Sequence, residues 1–315
     1  MVRLRKVMKS IVGKRKQHRG RKVDGILLLD KPEGLTSNAA LQEAKRAYGA
    51  AKAGHTGSLD PIATGLLPIC FGEATKLSGF FLSADKRYHA VFQLGLATDT
   101  GDREGTVTGR SEVDAGDDEI ERVLDGFRGD FEQVPSMYSA IKKDGKPLYE
   151  LARQGIEVER QARPVTVHSL IWERPEKDRL FIDLHCSSGF YVRSLAQDIG
   201  AALGCGAHVD RLSRTAVGHF KLADAVPLER VKAGSAERAG LDELLIPGDR
   251  GLNHLPGITL SPDAAYYLVR GQAVRAAELP RSGLVRLYAE EAGFLGVGKV
   301  LGDGRVAPKR LFQRV

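Results

Sequence analysis

The stretch KRYHAVFQLG (residues 86–95) places Tyr88, Ala90, Phe92 and Leu94 at every second position. Successive side chains of a strand point to opposite faces, so this period predicts a strand with one apolar face turned inward. Working outward, RLFIDLHC (residues 179–186) repeats the pattern through Leu180, Ile182, Leu184 and Cys186, and a further strand is expected over about 165–172. GILLLD (residues 25–30), closed by Lys31-Pro32, suits a buried strand. Helical spacing intervenes. Thr36 or Ser37 can cap a helix to about Tyr48, and residues 73–84 space Leu77, Phe80, Phe81 and Ala84 helically. Residues 117–127 carry Ile120, Val123, Leu124 and Phe127 on one side, and 191–203 suit another helix. GHTGSLDPIATG (residues 54–65) is expected as a loop. PSMYSAIKKDGKPLYELARQG reads as a basic loop entering a short helix at Leu148. Strands and helices mix without regular βαβ alternation, which predicts an α+β fold with a mixed, mainly antiparallel sheet.

The chain has 315 residues, 42% of them hydrophobic, enough for a large domain and a small one. Residues 1–22 hold ten Lys or Arg and no acid; the rest holds 37 basic and 40 acidic residues. The positive net charge therefore sits in a basic, disordered-type arm. Such an arm either solubilises or neutralises nucleic-acid phosphates, and charge alone does not separate the two. The arm has no apolar stretch of signal-peptide length, no later apolar run approaches the length of a membrane span, and Cys70, Cys186 and Cys205 lack CxxC spacing. Buried thiols in a reducing cytoplasm are expected. The eight histidines form no HxxxH pair, so no metal site is expected. Pro247-Gly248-Asp249-Arg250-Gly251 and Pro256-Gly257 punctuate the chain, dividing it into 23–250 and a small β-rich unit at 251–315.

Within the glycine-rich loop, Asp60 precedes Pro61, which by itself is ordinary turn chemistry. The surrounding blocks carry more. GILLLDKPEGLTS, GHTGSLDPIATGLLPICFGEATK, KRYHAVFQLGLATDTGD, QVPSMYSAIKKDGKPLYELARQG, GFYVRSLAQDIG and HVDRLSRTAVGHF occur in this order. Together they resemble the bacterial TruB-type tRNA pseudouridine synthases, from about Gly25 to the C-terminus, and the last segment resembles that family's PUA domain. The arm lies outside the resemblance. Ser58 stands where the family usually has alanine, and Ser136 where a second proline is common.

The resemblance implies isomerisation of uridine 55 in the T-loop of tRNA: the N1–C1′ bond breaks, the uracil turns, and a C5–C1′ bond forms. Nothing is oxidised or added, so no cofactor is implied. The family's catalytic aspartate falls on Asp60. A carboxylate can attack C1′ or C6, or act as a base, and the sequence does not choose among these. Arg193 matches the arginine paired with that aspartate, and Tyr88 the tyrosine that stacks on the target base. His55 matches a residue that fills the gap left by the flipped nucleotide, and Tyr191 and Leu212 align with residues that line the uridine pocket. The loop with Lys142, Lys143 and Lys146 resembles the thumb, spanning about 130–155, that clamps the T-arm. Lys31 is either a phosphate contact or a solvated strand-end lysine. Asp99 and Asp102 read as turn-forming acids. Composition alone would place Arg193 on a helix surface and Tyr88 and Leu212 in a core. The implied enzyme is cytoplasmic and monomeric, acts without a guide RNA, and binds neither metal nor membrane. The alternatives are a tRNA-folding chaperone that needs no catalysis, a nucleoside hydrolase needing a second placed carboxylate, and a guide-dependent relative.

Overall fold

The computed structural model describes residues 20–139, 141–143 and 145–312. Most of the expected arm therefore lies outside the described residues. Arg21, its penultimate residue, is tied to the body: its amide donates to Gly49 O at 2.8 Å, its carbonyl accepts from Ala51 at 3.0 Å, and its guanidinium pairs with Asp242.

A ten-stranded sheet forms the body. Its main path runs Val226–Pro227, Gly25–Lys31, Thr64–Phe71, Ala207–Val217, Lys86–Leu94, Arg179–Cys186, Arg163–Glu176 and Gly129–Gln133. Two pairings on this path are parallel, Gly25–Lys31 with Val226–Pro227 and Thr64–Phe71 with Ala207–Val217; the others are antiparallel. The mixed, mainly antiparallel α+β class is thus as expected. The strand Lys86–Leu94 lies at the middle, and Tyr88, Ala90, Phe92 and Leu94 are all buried. One face of the sheet packs under Ser37–Ala47, Asp117–Asp125, Val192–Ala202 and Leu228–Ala233, giving the largest apolar core. Thr36 caps the first of these helices through a 3.1 Å bond from the Ala39 amide.

Several expectations are corrected. The glycine-rich segment is not all loop: Ala53–His55 and Thr64–Phe71 are strands that pair with each other. The second is buried on both faces, Leu67 and Ile69 in the main core and Leu66 and Cys70 in a second core. Such strands lack period-two alternation. The helix expected over 73–84 is a 3₁₀ segment, Gly72–Leu77, followed by a short α-helix, Ser78–Leu82. The central strand Ala207–Val217 was not expected, because bulges at Val209/Arg211 and Arg214/Ala216 interrupt its alternation.

The C-terminal unit is a five-stranded sheet with its own core around Leu260, Leu268, Val285, Leu287 and Val306. It is joined to the body by apolar contact. Val297 belongs to the second core with Leu77, Phe81 and Leu252; Phe294 and Phe312 pack against that core. Lys76 Nζ donates to Leu311 O at 2.7 Å across the same seam.

Candidate active site

The loop from Gly57 to Pro61 is held at every residue. Arg214 is 1% exposed and donates to three carbonyls: Nη2 to Gly57 at 3.1 Å, Nη1 to Ser58 at 3.2 Å, and Nε to Leu66 at 2.8 Å. Ser37 Oγ accepts from the Leu59 amide at 2.7 Å and donates to the Leu59 carbonyl at 3.0 Å. Asp60 O accepts from Ala63 N at 3.1 Å, and Pro61 O accepts from Gly34 N at 2.8 Å. Gly65 closes the segment at φ 97°; a Cβ there would lie 2.5 Å from the Arg214 carbonyl, so no other residue fits without moving the central strand. A turn residue needs no such bracing. This loop is fixed before any ligand arrives.

Lys31 is part of the brace, and neither of its expected roles matches its place. It is fully buried, and its ammonium donates to Pro32 O at 2.8 Å, Leu35 O at 2.7 Å and, longer, to Pro61 O at 3.4 Å. It is not solvated, and it presents no free face to a phosphate. Burial lowers its pKa to about 8, opposed by the Asp60 charge.

Asp60 and Arg193 meet although 133 positions separate them. Arg193 Nε lies 2.9 Å from Asp60 Oδ2 and Nη2 lies 3.1 Å from Oδ1, a two-pronged pair. The remaining guanidinium donors reach Thr100 O at 3.1 Å and Tyr138 O at 2.8 Å. Arg193 comes from the first turn of Val192–Ala202. Just before that helix, Tyr191 is locked by Gln133, whose side chain accepts from its amide at 2.8 Å and donates to its carbonyl at 3.0 Å. Arg193 is buried, whereas the Asp60 side chain keeps 36% of its surface open, so the carboxylate is gripped from behind and free in front.

A second carboxylate shares the guanidinium. Asp102 Oδ2 lies 3.6 Å from Arg193 Nη1 with its side chain only 8% exposed. The turn expected at Asp102 is present, with Thr100 Oγ1 and the Glu104 amide donating to its Oδ1 at 2.7 and 3.1 Å. The turn also aims the other oxygen into the site, which no spacing in the sequence reveals. Burial pushes the Asp60 carboxyl above its ordinary range; Arg193 pulls it down, Asp102 adds to the rise, and Lys31 opposes it.

Tyr88 and Leu212 stand on neighbouring strands, Tyr88 opposite Arg214 and Leu212 opposite Ala90, and both are buried in the main core. Burial raises the Tyr88 phenol, so it stays protonated at neutral pH, and the Asp60 charge pushes the same way. His55 sits on Ala53–His55 with its pKa lowered by burial, then by Arg214, and its buried Nδ1 has no hydrogen-bond partner. Lys142, Lys143 and Lys146 are exposed where Lys142–Lys143 pairs with Lys146–Pro147, and Lys142 and Lys143 line a cavity of about 320 Å³ together with Arg160 and Arg163. Arg214 and Gln133 are site residues that the sequence reading did not single out, and Asp102 was read only as a turn former. Replacing Arg214 by methionine leaves three inward carbonyls without a donor and is expected to cost about 3 kcal/mol or more. Urea unfolding checks this; an unchanged midpoint would refute the bracing role.

Residues 45–192 match the model of the TruB family pseudouridylate synthase N-terminal domain. Residues 193–253 match the tRNA pseudouridylate synthase B C-terminal domain, and 256–312 the pseudouridine synthase II TruB C-terminal model. The tRNA pseudouridine synthase B of Tolumonas auensis is 50% identical over 95% of both chains, and that of Ectopseudomonas mendocina 53% identical over 92% of this chain and 96% of its own. The structure of a Cbf5–Nop10–Gar1 complex matches with a TM-score of 0.71 and 26% identity, over 92% of this chain and 85% of the other. An archaeal box H/ACA Nop10–Cbf5 complex, 24% identical over 93% and 87% of the two chains, shares the fold at a TM-score of 0.68. With the sheet, the braced loop and both C-terminal segments all matched in order, the chain belongs to the TruB family of pseudouridylate synthases.

Proposed function

We propose that this chain isomerises uridine 55 in the T-loop of tRNA to pseudouridine, with Asp60 as the group that acts on the flipped nucleotide. The observation that carries this is the Asp60–Arg193 pair: a carboxylate fixed by a buried guanidinium and open on its other side. A folding chaperone has no use for that arrangement. The reaction balances within the substrate. The N1–C1′ bond breaks, the uracil rotates, C5 bonds to C1′, and the proton on C5 leaves as N1 gains one. No electrons are transferred, so no redox cofactor is called for.

Residues of the chain supply three things. Asp60 supplies negative charge beside the sugar and base, preorganised because its loop is already braced. Tyr88 supplies an aromatic face for the extruded uracil and a protonated phenol near it. His55 is neutral with an unpaired ring nitrogen, suited to the gap that base extrusion leaves in the loop stack. Tyr191 and Leu212 would complete the pocket wall, and Lys142, Lys143 and Lys146 would meet T-arm phosphates. In this reading the enzyme works as a monomer, without guide RNA, in the cytoplasm; among the described residues no helix is long and apolar enough to cross a membrane.

The test is incubation with an unmodified tRNA transcript, followed by carbodiimide-stop primer extension. A single new stop at the T-loop uridine is expected, and its absence would overturn the proposal. Tyr88→Phe keeps the stacking face and removes the hydroxyl. tRNA affinity should stay within about twofold while single-turnover product formation slows about 10²-fold, the lower end for a lost proton-transfer group. Unchanged turnover would leave Tyr88 only the stacking role.

A further inference from the structure

No histidine spacing in the sequence announces the cluster formed by Asp85, His168 and His185. They come from three places: the loop before Lys86–Leu94, the strand Arg163–Glu176, and the strand Arg179–Cys186. Pairing between the two strands brings the histidines together, and a β-bulge completes the approach. Val167 pairs with Cys186 and Ser169 with His185, so His168 is the extra residue between them and is turned towards His185. The two imidazole rings lie 4.6 Å apart, and His168 Nε2 is 3.2 Å from Asp85 Oδ2. One ligand-type atom from each residue falls within 4.8 Å of the other two. His185 alternates with Leu184 and Cys186, which point into the main core. The cluster therefore faces away from the Asp60 site and belongs to none of the machinery above.

We infer that Asp85, His168 and His185 form a binding site for one divalent zinc-type cation. The donor set decides the class. Two imidazole nitrogens and one carboxylate oxygen suit zinc and its borderline neighbours, whereas calcium and magnesium take all-oxygen sets. A tetrahedral ion with bonds of about 2.0–2.1 Å wants its ligand atoms about 3.3 Å apart. Asp85 and His168 already stand at that separation, and the donor atom of the part-exposed His185 lies within 4.8 Å of both. Three protein ligands leave a fourth position for water, and His168 and Asp85 are open enough to admit an ion, with side chains 36% and 47% exposed. The backbone is ready on both sides: Gly218 N donates to Asp85 O at 2.8 Å, anchoring the loop, and the histidines stand on paired strands. Bound metal would staple residue 85 to the outer strands, one residue before the strand that carries Tyr88.

The experiment titrates the chelator-treated, desalted full-length protein with zinc chloride by calorimetry, and with cobalt chloride by visible absorption. The wild type should bind one equivalent of zinc in the micromolar range or tighter, and should give the intense d–d bands of a tetrahedral cobalt complex. His168→Ala and His185→Ala should each weaken zinc at least tenfold and remove the cobalt bands. His219→Ala, a histidine elsewhere, should change neither, and pseudouridine formation by His168→Ala and His185→Ala should stay at wild-type rate, showing an intact fold. Zinc binding of equal affinity in wild type and the double variant His168→Ala/His185→Ala would overturn the inference, as would a wild type that binds no zinc.

Discussion

Asp60→Asn is expected to abolish pseudouridine formation, lowering the single-turnover rate by at least about 10⁴-fold, the scale seen when a nucleophile or its equivalent is removed. The amide has nearly the same shape, so the loop should survive. Its bracing comes from Arg214, Ser37 and Lys31 through main-chain atoms, none of which depends on the carboxylate. What is lost is the charge and the nucleophilic or basic oxygen, whichever of its possible roles Asp60 fills. Affinity for tRNA should change less than about threefold, because the proposed function gives RNA binding to phosphate contacts from exposed lysines and not to Asp60. Filter binding and primer-extension mapping on one preparation separate the two. Residual turnover within tenfold of wild type would remove Asp60 from the centre of the reaction. Loss of both turnover and affinity would instead point to a collapsed loop.

How much of this was legible beforehand depends on which physical signal each element carries. Lys86–Leu94 and Arg179–Cys186 each bury one face and therefore alternate, so they were readable. Thr64–Phe71 buries both faces and has a glycine at its second position, and its apolar run says nothing of period. Arg214 sits among polar neighbours on a bulged strand, where an arginine reads as surface; its burial is visible only once the carbonyls of Gly57, Ser58 and Leu66 surround it. Lys31 misled for the same reason. The partnership of Asp60 and Arg193 came from motif resemblance, since contact over 133 positions leaves no mark on local pattern. Asp102 shows the limit of motif reading. It makes the turn its sequence suggests and spends its second oxygen on Arg193. The His168–His185 approach likewise depends on strand register and a bulge, neither of which spacing encodes.

Arg193→Lys separates a charge from a geometry. Lysine keeps the positive charge but offers a point donor in place of the planar fork that meets both oxygens of Asp60 and the carbonyls of Thr100 and Tyr138. The expected loss is about 10²–10³-fold in single-turnover rate, the scale for removing one preorganised electrostatic contact. Lysine is preferable to methionine here, because a neutral side chain would strand the buried Asp102 without a cation at about 3–5 kcal/mol. The pH profile carries the sharper reading. Burial raises the Asp60 pKa and Arg193 opposes the rise, and in the proposed function the ionised form is the active one. Wild-type activity should therefore fall on acidification at a higher pH than an ordinary aspartate would give. Weakening the Arg193 contact removes an opposing cause, so the acid limb of Arg193→Lys should move further up. Asp102→Asn removes a like charge that adds to the rise, so its limb should move down. Opposite displacements in the two variants would mean that Arg193 and Asp102 act on the Asp60 charge with opposite sign. A lowered rate with the same acid limb in both would mean that Arg193 acts by holding the Thr100 and Tyr138 loops in place, and that the charge of Asp60 is set by something else.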